Sequence, residues 1–220
     1  MIRNFKVLFS SFFWLMLILN YAQAFIEYDL QPLGNLNKIL VKLQKGEQFG
    51  LGQVQGAFGH IRGKINFDTM NPSKISGSVI LDARTLRFGY HKVDKDAQRP
   101  NWLNTSKHPK ISFLLGGLNN EYWEGKTLFA NASGVLSLNN TSAPISFPVT
   151  IKYLSSKRKQ FDGKPGDLLY LQGTLDLSRG SFGINTGTML DIIKDQITVD
   201  ISLVGCSDEK RPLLPSRLFM

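Results

Sequence analysis

Long runs in which apolar and polar residues alternate constrain the fold of this chain most strongly. From Ile197 to Leu203 every second residue is aliphatic, and the same pattern runs through Ile145–Tyr153, Leu169–Leu177 and Ile61–Phe67. Successive side chains of a β-strand point to opposite faces of the sheet, so each run predicts a strand with one buried face. The chain is therefore expected to be an all-β protein.

About eight such strands are predicted, and turn-forming residues separate them. Their approximate ranges are 38–44, 57–68, 74–83, 110–118, 126–138, 143–154, 167–178 and 195–206. Long, sequential, antiparallel strands with one apolar face favour an eight-stranded closed barrel, which leaves no exposed edge, although patterning alone also allows a β-sandwich. Short helices are expected at 94–105 and 189–194. Pro148, inside a predicted strand, indicates a bulge or an edge at that point.

The N-terminus has the three-part layout of a secretory signal. A short basic start precedes the apolar run 7–19, and Ala22-Gln23-Ala24 forms a small-x-small cleavage site. The apolar run is shorter than the roughly 20 residues needed to span a bilayer, which disfavours an uncleaved membrane anchor. The expected organisation is a cleaved signal peptide over 1–24, a barrel domain over 25–206 and a loosely ordered tail over 207–220.

The chain is basic, with a formal net charge of +9. This charge limits the classes of partner that the chain is expected to bind. A local basic cluster is favoured as a solvated loop, with an anionic membrane surface as the alternative partner. The cluster consists of Lys152, Lys157, Arg158, Lys159 and Lys164. Nucleic acid is not expected as a partner, because the sequence lacks the aromatic and basic motifs of the known binding modules. Cys206 is the single cysteine, and its apolar strand predicts a small buried side chain.

Motifs for catalysis or metal binding are not found in the sequence. His60, His91 and His108 lack paired spacing, and there is no H-E-x-x-H motif. No G-x-S-x-G nucleophile elbow occurs. The residues themselves therefore predict no catalysis, cofactor or metal. A secreted β-fold hydrolase or carbohydrate-active protein is the alternative, because sequence alone cannot pair dispersed carboxylates.

One connection, from Arg84 to Lys110, is unusually long for a barrel. Connections beyond roughly 12–15 residues are usually functional or disordered, and the aromatic residues in this one favour an ordered loop that caps or frames the barrel mouth. An anionic ligand head group would suit its cations. The predicted mouth residues are Arg84, Arg87, His91, Lys92 and Trp102.

Several short segments follow one another in a specific order along residues 37–206. They are the glycine-flanked Phe58 strand ending in Phe67-Asp68, the segment Val79–Leu86, Trp102-Leu103-Asn104, His108–Phe113, the strand Ala130–Leu138, and Phe182-Gly183-Ile184 before the last strand. In this order they resemble the YceI-like family of lipocalin-like, polyisoprenoid-binding proteins. The resemblance implies an eight-stranded antiparallel lipocalin-like barrel that encloses a long-chain lipid of polyprenyl or quinone type. It also implies a periplasmic or secreted location in bacteria, and often a homodimer.

The lumen wall is assigned from the alternation within each strand. The predicted lumen residues are Ile61, Ile65, Phe67, Val79, Leu81, Phe113, Leu115, Phe147, Val149 and Ile151. A slip of one residue would turn any of these strands inside out. Small barrels are also often filled by side chains, so a solid barrel that interacts through its surface is a third hypothesis.

The chain departs from the usual family pattern in the long connection. Lys95-Asp96 and Trp102-Leu103 stand where the family usually carries an Arg-Asp pair and a His-Leu pair. If the family residues meet the lipid head group, the departure implies a different head group for this chain.

Overall fold

The structure, a computed structural model, describes residues 25–46 and 54–208. The predicted signal peptide and all but the first two residues of the predicted tail lie outside the described residues. The described strands are β1 (Ile26–Asp29), β2 (Lys38–Lys45), β3 (Val54–Ala57), β4 (Ile61–Phe67), β5 (Ser76–Asp82), β6 (Lys110–Glu124), β7 (Thr127–Leu138), β8 (Thr141–Leu154), β9 (Leu168–Ser178) and β10 (Ile193–Cys206). The described helices are α1 (His91–Ala97) and α2 (Lys159–Asp162).

The strands form one antiparallel sheet that closes on itself. Each strand from β4 to β10 pairs with the next, and β10 then pairs with β2 and, through Asp29 and Cys206, with β1. β1 pairs in turn with β4, and β2 pairs with β3. The result is a closed eight-stranded antiparallel barrel with two extra strands. It confirms the predicted barrel and decides against the β-sandwich.

The predicted helices differ from the observed ones. The helix expected at 94–105 begins earlier and ends at Ala97, because Pro100 cannot continue it. The helix expected at 189–194 is wrong: residues 189–192 form a turn and β10 begins at Ile193. The amides of Ile192 and Ile193 both donate to the Met189 carbonyl, at 3.2 and 2.9 Å, and close this turn just before the strand begins. No helix in the described ranges is long and apolar enough to cross a membrane.

One end of the barrel, beside β1, is packed solid and is called the filled end. Tyr28, Phe67, Leu128 and Leu169 are almost completely buried there in a single apolar core. The opposite end carries the connection from β5 to β6 and the loop from β9 to β10, and is called the connection end. Any unfilled space must therefore lie between the filled end and the connection end.

Arg158 lies buried near the filled end, which corrects its expected place in a solvated loop. Its guanidinium pairs with the carboxylates of Asp162 and Asp208 and donates to the carbonyl oxygen of Ser207 at 3.1 Å. The other four residues of the basic cluster are exposed, as expected. A buried charge needs a partner, and α2 supplies one for Arg158 by placing Asp162 four residues later. Arg158 can therefore be buried where the neighbouring lysines are exposed.

Cys206 is buried as predicted, with its Sγ atom 3.6 Å from the carbonyl oxygen of Asp29. Burial raises the pKa of its thiol, so the reactive thiolate is scarce near neutral pH. We expect a thiol reagent such as dithionitrobenzoate to leave the folded protein unmodified and to titrate one thiol per chain in guanidinium. Rapid modification of the folded protein, measured by absorbance, would show that this end of the barrel is loosely packed.

Candidate ligand-binding site

An elongated cavity of about 170 Å³ lies inside the barrel. Strand β2, strands β4 to β10 and the connection end contribute its walls, and the lining side chains of the described residues are apolar except for Ser78 and Gln172. Along β6 the lining runs from Ile111 to Leu118, which corresponds to roughly 23 Å of extended strand. The cavity is therefore long, narrow and without charged groups on its described walls.

Some inward-facing side chains around the cavity keep accessible surface, whereas the large ones at the filled end do not. Val79, Phe113 and Val199 pack against the core but are only half-buried. Tyr28 and Phe67 at the filled end are 1% and 0% exposed. This contrast shows that the unfilled space begins beyond the filled end and extends towards the connection end.

Most of the predicted lumen residues line this cavity. They are Ile65, Val79, Leu81, Phe113, Leu115, Phe147, Val149 and Ile151. Ile61 and Phe67 are also buried in the core, but they are not part of the cavity lining. Contact of any of these side chains with a ligand stays a prediction.

The last two strands also contribute to the lumen wall, which was not predicted. Leu175 and Leu177 of β9 and Val199 and Ile201 of β10 also line the cavity. The same alternation that identified the other strands marks these positions, so the signal was present in the sequence.

The widest side chains of the lumen face each other across β7. The rings of Phe113 on β6 and Phe147 on β8 lie 5.7 Å apart with an interplanar angle of 56°. β7 has small residues between them: a Cβ atom at Gly134 would come within 2.7 Å of the Phe113 ring. The same Cβ atom would come still closer to the Leu114 carbonyl oxygen, so the close approach of both the β6 backbone and the ring requires the glycine.

The long connection is ordered and covers the connection end, as expected. Its backbone folds onto α1, with the Leu103 amide donating to the Ala97 carbonyl at 3.0 Å. Leu86 and Leu103 turn inward and line the cavity, together with Phe58 and Ile184. The segments that close this end of the lumen thus present apolar side chains to the cavity.

The predicted mouth cations lie on this connection, but they are engaged with partners of their own and do not line the cavity. Arg84 binds both carboxylate oxygens of Asp82 at 2.9 and 2.7 Å and lowers the pKa of that carboxyl group to about 2. Lys92 pairs with Asp96 at 2.9 Å. Arg87 donates to two carbonyl oxygens of its own segment, and His91 is exposed at the start of α1. Their role in head-group binding stays a prediction.

The most heavily hydrogen-bonded side chain at the connection end was not predicted at all. Arg179 is 2% exposed, and its guanidinium donates to five backbone carbonyl oxygens. The acceptors are Lys194 (3.2 Å), Ile184 (2.9 Å), Asn185 (2.7 Å), Thr188 (2.7 Å) and Ile193 (3.1 Å). Trp102 covers the guanidinium at 5.6 Å from the ring centroid. Arg179 thereby fixes the loop that places Ile184 against the cavity.

The described residues show no metal centre. No group of three or more histidine, cysteine, aspartate or glutamate side chains in the described ranges is placed to hold a metal ion.

Comparisons with known proteins agree on one family. The model of the YceI-like domain family matches residues 35–205. No curated protein sequence matches the chain significantly.

Solved structures with the same fold come from several bacteria. BcnA of Burkholderia cenocepacia is 18% identical with a TM-score of 0.64, over 80% of this chain and 98% of that protein. The YceI protein of Campylobacter jejuni is 17% identical with a TM-score of 0.62, over 76% and 92%. A polyisoprenoid-binding domain from Saccharophagus degradans, implicated in plant cell wall breakdown, is 11% identical with a TM-score of 0.61, over 84% and 99%. At these identities the likeness shows the shared barrel fold.

Proposed function

The chain belongs to the YceI-like domain family, and on that premise we propose that it is an exported, non-catalytic protein that encloses a long-chain isoprenoid lipid in its barrel. The observation that carries the proposal is the cavity, which is elongated and almost entirely apolar on its described walls. Burial of apolar surface contributes about 25 cal/mol per Å² before the costs of association. A long hydrocarbon chain is the ligand class that gains most from such a site.

The proposed ligand class also agrees with one structural relative. The Saccharophagus degradans domain of the same fold is a polyisoprenoid-binding domain. Branched isoprenoid chains are narrow and flexible, and they suit a lumen walled by leucine, isoleucine, valine and phenylalanine.

For the head group we propose a neutral polar end, as in a prenyl alcohol or a quinone. Arg84 and Lys92 already pair with Asp82 and Asp96 at the connection end. A phosphate would have to displace those carboxylates before it could bind these cations. A neutral head group meets no such competition.

Export rests on the N-terminal sequence. The basic start, the apolar run and Ala22-Gln23-Ala24 support cleavage before Phe25 and delivery to the bacterial periplasm. A periplasmic location would place the barrel next to membranes that contain isoprenoid lipids.

Lipid extraction tests the proposal directly. The full chain would be produced in a Gram-negative host, recovered from the periplasmic fraction as a protein that begins at Phe25, and extracted with organic solvent for mass spectrometry. We expect a reproducible prenyl alcohol or quinone at close to one molecule per barrel. A protein without extractable lipid that also fails to take up added prenyl alcohol would refute lipid binding. A polyprenyl phosphate as the main species would refute only the neutral head group.

A further inference from the structure

The barrel wall has a seam between β8 and β9. Their ladder runs from Val149 paired with Gly173 to Leu154 paired with Leu168, and it stops there. Within the described residues, 141–148 of β8 pair with β7, and 174–178 of β9 pair with β10, but these two segments do not pair with each other. Backbone hydrogen bonds therefore join β8 to β9 near the filled end, and no ladder joins the described parts of these two strands towards the connection end.

Two prolines account for the seam. Pro144 and Pro148 lie four residues apart on β8, so they occupy equivalent positions along the strand, and neither has a backbone N–H to donate. The ladder to β7 passes both residues, with Val135 opposite Pro144 and Asn131 opposite Pro148, whereas the ladder to β9 stops beside Pro148. The backbone N–H groups that Pro144 and Pro148 lack would therefore have pointed towards β9. Pro148 thus marks an edge, one of the two alternatives that the sequence allowed.

The seam has a defined frame. At the connection end, the Asn139 side-chain amide donates to the Phe182 carbonyl at 3.1 Å and joins the β7–β8 turn to the loop after β9. At the other end, Val149 and Gly173 are paired. A Cβ atom at Gly173 would lie 3.0 Å from the Pro148 carbonyl oxygen and 3.2 Å from the Phe147 ring, so the strands approach closely where the ladder begins. The two segments between these points are tethered to each other at both ends.

The seam separates the lumen from the outside by one layer of side chains. Ile145 and Phe147 flank it on β8, Leu175 and Leu177 flank it on β9, and all four line the cavity. Ile145 is half-buried although it faces inward, whereas Phe147, closer to the ladder, is 7% exposed. Movement of these side chains would connect the lumen directly with solvent.

On the outside, the foot of the seam opens into a groove of about 750 Å³. Its walls include Pro148, Thr174 and Phe129, and it shares Val149, Gln172, Gly173 and Ile201 with the lumen lining. The groove thus lies immediately outside the point at which the two strands diverge.

The lumen is too small for a long-chain ligand unless it can widen. Ligand cavities usually measure about 300–1,000 Å³, and the lumen measures about 170 Å³. To part strands at a paired seam of a barrel, ladder hydrogen bonds must break, and unpaired backbone groups are costly inside an apolar wall. Parting β8 from β9 along 141–148 and 174–178 breaks no ladder between them.

We propose that the β8–β9 seam is a lateral portal through which a long apolar chain enters the barrel. The proposal rests on the proposed function, because it presupposes that the lumen takes up a lipid. The two segments separate, the hydrocarbon passes between Phe147 and Leu175, and the strands close behind it.

A covalent lock across the seam tests the portal. Extension of the β8–β9 register would place Ser146 opposite Asp176, and both side chains are exposed. The variant Ser146→Cys/Asp176→Cys, in a Cys206→Ser background, would be joined with a short bifunctional maleimide. Uptake of dansyl-labelled geranylgeraniol would be followed by stopped-flow fluorescence. The matched control is Asp176→Cys/Thr198→Cys, which joins the same residue of β9 to its ladder partner on β10.

We expect the seam lock to slow uptake at least tenfold, and the control lock to leave the rate within twofold of the unlocked protein. Equal rates in the two locked proteins would overturn the portal while leaving lipid binding intact. If the unlocked protein does not bind the probe at all, the proposed function fails, and the portal fails with it. Circular dichroism checks that both locked proteins are folded.

A second variant tests the same seam without a cross-link. Pro144→Thr/Pro148→Thr restores two backbone donors on the side of β8 that faces β9, so the ladder can extend towards the connection end. We expect slower uptake of the same probe and greater protection of β8 amides from hydrogen exchange. An extended ladder, seen by exchange, together with unchanged uptake would overturn the portal.

Discussion

Replacement of Phe147 by glutamate is expected to reduce lipid retention at least a hundredfold. Phe147 lines the cavity next to Phe113 and is 7% exposed. A ligand that enters the lumen would have to strip water from the new carboxylate, which costs several kcal/mol for an ion without a partner. Each 1.4 kcal/mol corresponds to a tenfold change in affinity, so a loss of about 3 kcal/mol gives a hundredfold.

The neighbouring residue offers a matched control. Ser146 lies on the opposite face of the same strand and is exposed, so Ser146→Glu adds the same charge outside the barrel. Lipid retention, measured by extraction and by titration with labelled geranylgeraniol, should be unchanged in this variant. Equal retention in Phe147→Glu and Ser146→Glu, with both proteins folded by circular dichroism, would show that the lumen is not where the lipid binds.

Alternation along the strands was enough to predict which faces of β4, β5, β6 and β8 are buried. It works because one face of each strand meets the core and the other meets solvent, so the side-chain period is strictly two. The assignment for Phe113, Phe147 and Val149 followed directly from this period. Phe67 also faces inward as expected, but it is not part of the cavity lining because β1 fills that end of the barrel.

The part that β1 plays in closing the barrel could not be predicted from local pattern. β1 has four residues, Ile26–Asp29, and so short a segment shows no distinguishable period. Its pairing with both β4 and β10 depends on residues far away in sequence. Pro148 did indicate an irregularity, but only the completed sheet shows that β9 is the neighbour that loses its ladder.

Arg179 could not be predicted because nothing near it in sequence marks it as buried. It lies between Ser178 and Gly180, a context typical of an exposed turn. Its burial depends on carbonyl groups five to fifteen residues further on. A charged residue with such partners is recognisable only after the loop has folded around it.

Removal of the Arg179 guanidinium should be the most destabilising single change at the connection end. Arg179→Met preserves much of the side-chain volume but removes a donor from five carbonyl oxygens, of which that of Asn185 keeps the amide and hydroxyl of Thr188 as donors. Unsatisfied buried polar groups cost about 1–3 kcal/mol each, and some of these carbonyls will recover a water molecule because the loop lies at the barrel end. We therefore expect the free energy of unfolding to fall by about 3–5 kcal/mol, measured by guanidinium denaturation.

The conservative variant separates the charge from the geometry. Burial lowers the pKa of the Arg179 guanidinium, yet arginine stays protonated, and its planar fork reaches all five acceptors at once. Arg179→Lys keeps a positive charge, but an ammonium group has three donors, so we expect it to recover less than half of the lost stability. Arg62→Met, on the exposed outer face of β4, is the matched control and should change stability by less than about 0.5 kcal/mol. If Arg179→Met were as mild as Arg62→Met, the hydrogen bonds to the loop would contribute nothing to the fold, and the loop that carries Ile184 to the lumen would need another anchor.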